Sequence, residues 1–557
     1  MSESMSFVAY RRPALPGGDY AITATQAVSL DTAPYKAAKT FTVAAERFAL
    51  PPTAIRSVFP PEGSLGDFSA VLPHVILDRP TLPWERSSGG PAGPWMALLV
   101  FSGEEQPEPH TVTVADLGVT LESHQSPTDP VTVIDVPRRI AADLLPPVAD
   151  LQYLAHVRRT SEDTAVVLAT RLPGPGVSST AHLVSVEGLY DASGPRPGGG
   201  ESVRLVTLAN WRFASVDAKR SFPYLARALR DEGAPYRLPD SGEPLADAYL
   251  RQGYVPAPHF LRQGGTTLSW YRGPFVTGPS TAPPTIAPRT SDALLRFYSD
   301  VGMLDTGYAA AWQLGRLLAL QNTAAANAMY AWKRRRAQNA KRTTGDVPLA
   351  VAPIDTAPPA AALNLLTDLA TLTGVPARYL VPDERLLPVE TVRFLRIDPY
   401  WISCLVDGAY SIGRLTRWDA EQDLSHPPLP DQPVRTGALI RSELVSGYPD
   451  LVIAGYDASG PLKPAGKAFL SPSVLLVLFD GELTRLDLQQ NPASLHFGVE
   501  LPADGQYAKT LRDGRDVGPL PLGPRGTIAP SAIAADPADF ALQMIETAES
   551  VTFLAHP

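Results

Sequence analysis

The stretch "GYAAAWQLGRLLALQNTAAANAMYAWKRRRAQNAKR", residues 307–342, decides how the chain is organised. From just before it, Leu304, Tyr308, Ala311, Gly315, Leu318, Asn322, Ala325, Met329 and Trp332 recur at spacings of four and three. That places them on one narrow stripe of a helix. The spacing predicts a single helix over about 308–342, roughly 50 Å long at 1.5 Å per residue. Small residues share the stripe with large ones, so a second helix can approach closely there. The end of the stretch, "MYAWKRRRAQNAKR" (329–342), collects charge of one sign. Trp332, Lys333, Arg334, Arg335 and Arg336 form a candidate docking surface for an acidic protein partner. The solvated end of a helix accounts for them with no partner at all, because cations near a helix C-terminus are favoured by the macrodipole. Nucleic acid would need a broader basic surface, and a membrane a wider apolar face.

Outward from this helix the pattern changes on both sides. Residues 1–40 read as an extended N-terminal segment. From 41 to 276 short β-type runs such as "AVLPHVIL", "WMALLVF", "VTVIDV" and "VRLVTLANW" alternate with turn residues, which predicts a β-rich domain with mainly antiparallel connections. Residues 277–290 are a Pro/Thr/Gly linker. Residues 291–418 are mainly helical, and include "AALNLLTDLATLTGVP" and the apolar "PYWISCLVDGAYSIGRL" around a strand "ETVRFLRID". "TTGDVPLAVAPIDTAPP" (343–359) ends the long helix, and "DLSHPPLPDQPVR" links onward. Residues 434–557 are β-rich again. The fold class expected is therefore α+β and multidomain, with β-rich N- and C-terminal regions flanking a helical middle that holds one long helix. "YDASGP" occurs at 190–195 and 456–461, and Asp-Ala-Ser-Gly suits a tight turn between strands.

A chain of 557 residues exceeds what one core supports, so several domains are expected. Hydrophobic residues make up 44% and charged residues 19%, the balance of a folded protein rather than a disordered one. The 58 prolines are scattered singly, as punctuation of many loops and short strands. A net charge of −9 argues against a nucleic-acid coat. One cysteine, Cys404, excludes an internal disulfide and a thiolate cluster. The start has no apolar signal region, and the longest apolar runs fall far short of the ~20 residues that span a bilayer. A cytoplasmic protein without a transmembrane segment is expected, release by a route without a signal peptide staying open.

No Walker A, GxGxxG, GxSxG, HExxH or EF-hand pattern occurs. Ser442 and Ser446 in "RSELVSGYPD" lie in no nucleophile elbow. His74 and Asp78 would be about 13 Å apart on an extended strand, too far for one metal. The remaining histidines are dispersed. Asp383, Glu384, Glu390 and Asp398 alternate with Arg385, Arg393 and Arg396, a pattern of ion pairs or, alternatively, of a paired-carboxylate hydrolase. No catalytic, cofactor-binding or metal-binding residue is assigned, and no cofactor is expected.

Several phrases carry a resemblance: "FTVAAERFALPPTAIRSVFPPEGSLGDFSAVLPHVILDRPTLPWER", "YAAAWQLGRLLALQ", "YLVPDERLLPVETVRFLRIDPYWISCLVDGAYSIGR", "RSELVSGYPDLVIAGYD" and "LLVLFDGELTRLDLQQNPASLHFGVE". Together, over 41–500, the chain resembles a family of long, uncharacterised bacterial proteins associated with gene clusters of phage-tail-like contractile injection systems. The resemblance implies a structural or protein-interaction component of a large assembly, with a protein partner or self-association. A hydrolase with an inter-domain site, or a toxin-like cargo protein, is the alternative.

Overall fold

A computed structural model describes residues 4–27, 35–90, 93–196, 199–230, 234–261, 263–343, 358–427, 429, 434–491, 495–501 and 506–555. Most of the expected helix terminator (343–359), part of the linker near 430 and His556 lie outside the described residues. The protein mixes helices with many antiparallel sheets. It divides into two compact units, Met1–Tyr224 with Pro492–Ala548, and Leu225–Asn491 with Glu549–Pro557. The boundaries expected at 276 and 434 fall inside the second unit.

The first unit is layered. A five-stranded antiparallel sheet runs in the order Ser6–Val8, Ala155–Arg159, Asp163–Leu168, His74–Leu77 and Ile55–Phe59. A second sheet joins Met96–Ser102, Ser178–Ser185, Ser202–Ser215, Pro130–Pro137 and His110–Thr113. "MALLVF" shows why the run is unbroken in sequence. Met96, Leu98 and Val100 enter a core shared with Val75, Leu77, Val157, Val167 and Trp211, while Ala97, Leu99 and Phe101 enter another. In that second core helix α1 (Arg138–Leu144) contributes Ile140, Ala141 and Leu144. A strand buried on both faces reads as continuous hydrophobicity rather than alternation. The outer face of the five-stranded sheet is covered from the far end of the chain by Phe497, Val499, Leu511, Phe540 and Met544.

Inside the stretch expected to be extended lies a hairpin of its own, β1 (Gly18–Gln26) with β2 (Tyr35–Val43), in a register of nine pairs from Gly18↔Val43 to Gln26↔Tyr35. It forms a separate two-stranded sheet.

The second unit is built on a sheet ordered Ala234–Pro235, Thr391–Ile397, Arg435–Arg441, Val474–Asp480, Lys463–Ser471. Its longer helices include α2 (Gly307–Gln321), α3 (Thr323–Thr343), α4 (Ala360–Ala370), α5 (Pro399–Tyr410) and α6 (Arg417–Ser425). The single helix expected over 308–342 is thus two. Asn322 leaves the helical region at φ −87 and ψ 84. Its side-chain oxygen accepts the Ala325 N–H at 3.1 Å, so one residue closes α2 and opens α3. Asparagine's preference for local backbone hydrogen bonds over helix continuation accounts for the break.

The small residues of the stripe do bring a helix close. A side chain at Gly315 would collide with the Leu405 carbonyl of α5, and one at Gly408 of α5 with the Trp312 carbonyl. The crossing is thus reciprocal, glycine against backbone on both helices. Helix α5 starts where it does because the Asp398 carboxylate accepts the N–H groups of Tyr400 (2.9 Å) and Trp401 (3.3 Å), with Pro399 at the first helical position.

Candidate functional site

The basic run expected to dock a partner sits on α3, and its residues point in different directions. Trp332 and Lys333 are buried. The Lys333 ammonium donates to Asp423 Oδ2 at 2.6 Å and to the Tyr410 carbonyl, and lies 3.9 Å from the Tyr410 ring centroid. Arg336 donates to Asp423 Oδ1 at 2.9 Å and stacks on Trp332 at 4.7 Å. From the other side Arg414 reaches Asp423 at 2.8 Å, Asp407 at 2.6 Å and the Pro288 carbonyl at 2.9 Å. Burial lowers the Lys333 ammonium to about 8, with Asp423 pulling the other way. Lys333 and Arg336 therefore belong to an ion network of the second unit, with Trp332 packed beside it, and of these three only Arg336 keeps some exposure. Arg335 is exposed and Arg334 half-buried.

The alternating acids and bases of 383–398 separate in space. Asp383 pairs with Arg385 at 2.7 Å, and that guanidinium holds its carboxyl below the usual range. Glu390 accepts from the Ser442 hydroxyl at 2.6 Å and the Glu443 N–H at 3.0 Å. Arg396 pairs with Glu482. Asp398, fully buried, receives Arg272 at 2.9 Å and the Tyr308 hydroxyl at 3.0 Å besides capping α5. Asp383, Glu390 and Asp398 are thus tied to structure, and Glu384 is exposed. Ser442 caps the helix that follows it through the Leu444 N–H. Cys404 is buried, its thiol pushed up to about 12 by desolvation.

Sequence reasoning missed one histidine cluster. His74, opposite Leu168, and His156, opposite Val166, share the outer face of the five-stranded sheet. The Phe497 ring meets both edge-on, at 5.0 and 5.4 Å, and Phe7 meets His156 at 5.3 Å. Burial drives both imidazoles down to about 3, and neighbouring Arg158 pushes the same way. Strand parity could have placed the two on one face; only the fold brings Phe497. They are neutral core residues at neutral pH.

A recess of about 140 Å³ in the second unit is lined by Ala370, Leu372, Ile397, Ile402 and Leu478. Its one charged wall residue, Arg435, is committed to Asp480 (3.2 Å) and the Ala370 carbonyl (3.2 Å). Among the described residues no group of three or more His, Cys, Asp or Glu is placed to hold a metal ion, and no helix is long and apolar enough to cross a membrane.

What the structure leaves open to a partner is the β1–β2 hairpin. From Ala21 to Gln26 and from Tyr35 to Thr40 every residue is exposed. Asp19 ties down its base, accepting from Thr42 at 2.6 Å and from the Ser123 hydroxyl at 2.9 Å. No protein-family model, curated protein or solved structure matches the chain.

Proposed function

We propose that this chain is a structural, protein-interaction component of a large bacterial assembly, an accessory protein of a phage-tail-like contractile injection system. The observation that carries the reading is the β1–β2 hairpin, nine register pairs long and solvated on both faces over most of its length. An isolated two-stranded hairpin is marginal in water, and three or more strands or a packed face are needed for independent stability. A second support is where the reactive groups go. Asp383, Glu390, Asp398 and Ser442, which could be drawn into a hydrolytic site, serve as helix caps, ion-pair partners and hydrogen-bond anchors. The resemblance to proteins of contractile injection gene clusters supplies the assembly. Within this reading the β-rich regions on either side of the helices are interaction modules, and Arg334 and Arg335 supply the basic end of α3 that an acidic partner can reach.

Co-purification from the native host tests it. A stoichiometric complex with products of the same gene cluster is expected, and removal of residues 18–43 should abolish or weaken it. Recovery of the chain alone, at all stages of assembly, would refute the reading.

A further inference from the structure

The two edges of the hairpin differ, and the difference selects a partner. On β1, Tyr20 to Gln26 ("YAITATQ") holds no charge, no proline and no glycine. On β2, Lys36 and Lys39 stand opposite Thr25 and Ile22. Lysines on an exposed strand are a device against edge-to-edge pairing, and β1 lacks it. The faces differ as well. Tyr20, Ile22 and Ala24 share one face with Phe41, Lys39 and Ala37, and the Tyr20 and Phe41 rings stack at 5.5 Å. Ala21, Thr23 and Thr25 share the other with Thr40, Ala38 and Lys36. Ile22, 63% exposed, stands beside Lys39 on a face that packs on no core.

We infer that β1 pairs antiparallel with β1 of a second copy of this chain across a two-fold axis perpendicular to the sheet. The product is a four-stranded sheet in which the neutral edges meet at the centre and the lysine-bearing strands lie outside. Charge decides the pairing. Two neutral edges meet without conflict, whereas pairing through β2 would set Lys36 and Lys39 of the two copies against one another, and like charges on paired strands are destabilising. An axis perpendicular to the sheet keeps Tyr20, Ile22 and Ala24 of both copies on one face, side by side on the two central strands, with Lys39 of each copy outside them. The contact is isologous and closes at two, so it gives a dimer rather than a fibre. The inference rests on the assembly reading above only in that it names one of its contacts.

Sedimentation velocity on the full chain over a concentration series tests it with three proteins. The wild type should double in mass with concentration. Ala21→Lys/Thr23→Lys and Ala21→Glu/Thr23→Glu, at positions whose partners Thr40 and Ala38 within the hairpin are uncharged, should each stay monomeric, since each sets like charges across the new seam. An equimolar mixture of the two should recover the dimer. The substituted positions are exposed, so thermal unfolding should match the wild type and exclude misfolding as the cause. A wild type of constant monomer mass overturns the inference, as do charged variants that dimerise like the wild type or a mixture that stays monomeric. A monomeric wild type that still co-purifies with gene-cluster products through its hairpin would sink self-pairing and leave the assembly reading standing. A β1-dependent dimer that captures none of them would do the reverse.

Discussion

At the residue scale the charged groups matter by what surrounds them rather than by their run in sequence. Asp423 accepts from Lys333, Arg336 and Arg414 in a site where Lys333 and Asp423 are each 1% exposed. Asp423→Asn leaves Lys333 and Arg336 without their carboxylate and Arg414 with Asp407 alone, and should cost about 3–5 kcal/mol of stability. Lys333→Met removes a cation whose ionisation burial disfavours, leaves Asp423 with two arginines, and should cost less than half as much. Arg335→Ala, at an exposed position, should stay within about 0.5 kcal/mol. Urea unfolding of the three variants checks the order. The histidines give a pH prediction for the first unit. Folded His74 and His156 titrate near 3 while the unfolded chain titrates near 6.5, so the unfolded state binds the extra protons. Stability is therefore full above pH 6.5 and falls as pH drops toward 3, by about 2 kcal/mol per histidine at pH 5. Hydrogen exchange in Ala155–Arg159, corrected for intrinsic rates, should show this loss. His156→Phe should remove about half of it, and an unchanged acid sensitivity would exclude these residues as its source.

At the scale of elements the α2–α5 crossing is the most demanding contact. Gly315→Ala or Gly408→Ala places a methyl group into the facing carbonyl, and backbone cannot swing aside as a side-chain tip can. Each should cost at least the ~1–3 kcal/mol of core overpacking. Alanine at exposed Gly447, where the added carbon meets nothing, should be close to neutral, and thermal unfolding compares them. This crossing was legible in sequence as small residues on a helical stripe, because a helix period and a residue size are local properties. The turn in "YDASGP" was legible for the same reason. Asp191 and Asp457 accept the N–H groups of Ser193 and Ser459, both at 2.7 Å, and Gly194 and Gly460 take φ of 138 and 144. The break at Asn322 was not, since the stripe runs through it unchanged and only the side-chain bond to Ala325 reveals it. Nor was the burial of Lys333, whose acid lies 90 residues on, or the hairpin, whose faces are defined by register and not by composition.

At the scale of the whole molecule the chain passes from the first unit to the second near 224, returns near 491, and crosses again near 548. That last crossing has a specific product. Ser550–Leu554 joins the second unit as the outer strand of a three-stranded sheet, against Arg485–Gln489, which in turn pairs with Val452–Tyr456. Leu486 lies opposite Phe553 and Leu488 opposite Val551, and Leu486, Leu488 and Phe553 are all buried. Truncation after Ala548 therefore strips a whole ladder from Arg485–Gln489 and uncovers two leucines. The loss of Phe553 alone is of the order of 3–5 kcal/mol for a buried aromatic. Protection of amide hydrogens in Arg485–Gln489 and Val452–Tyr456 should fall in the truncated chain. Protection in Ala155–Arg159, a strand of the first unit, should not change, since none of its pairing or core contacts comes from residues after 548. Phe553→Ala in the full chain should reproduce part of the loss at Leu486 and leave the ladder itself in place. Equal protection before and after truncation would show that the last strand is an appendage, and that the second unit is complete by Asn491.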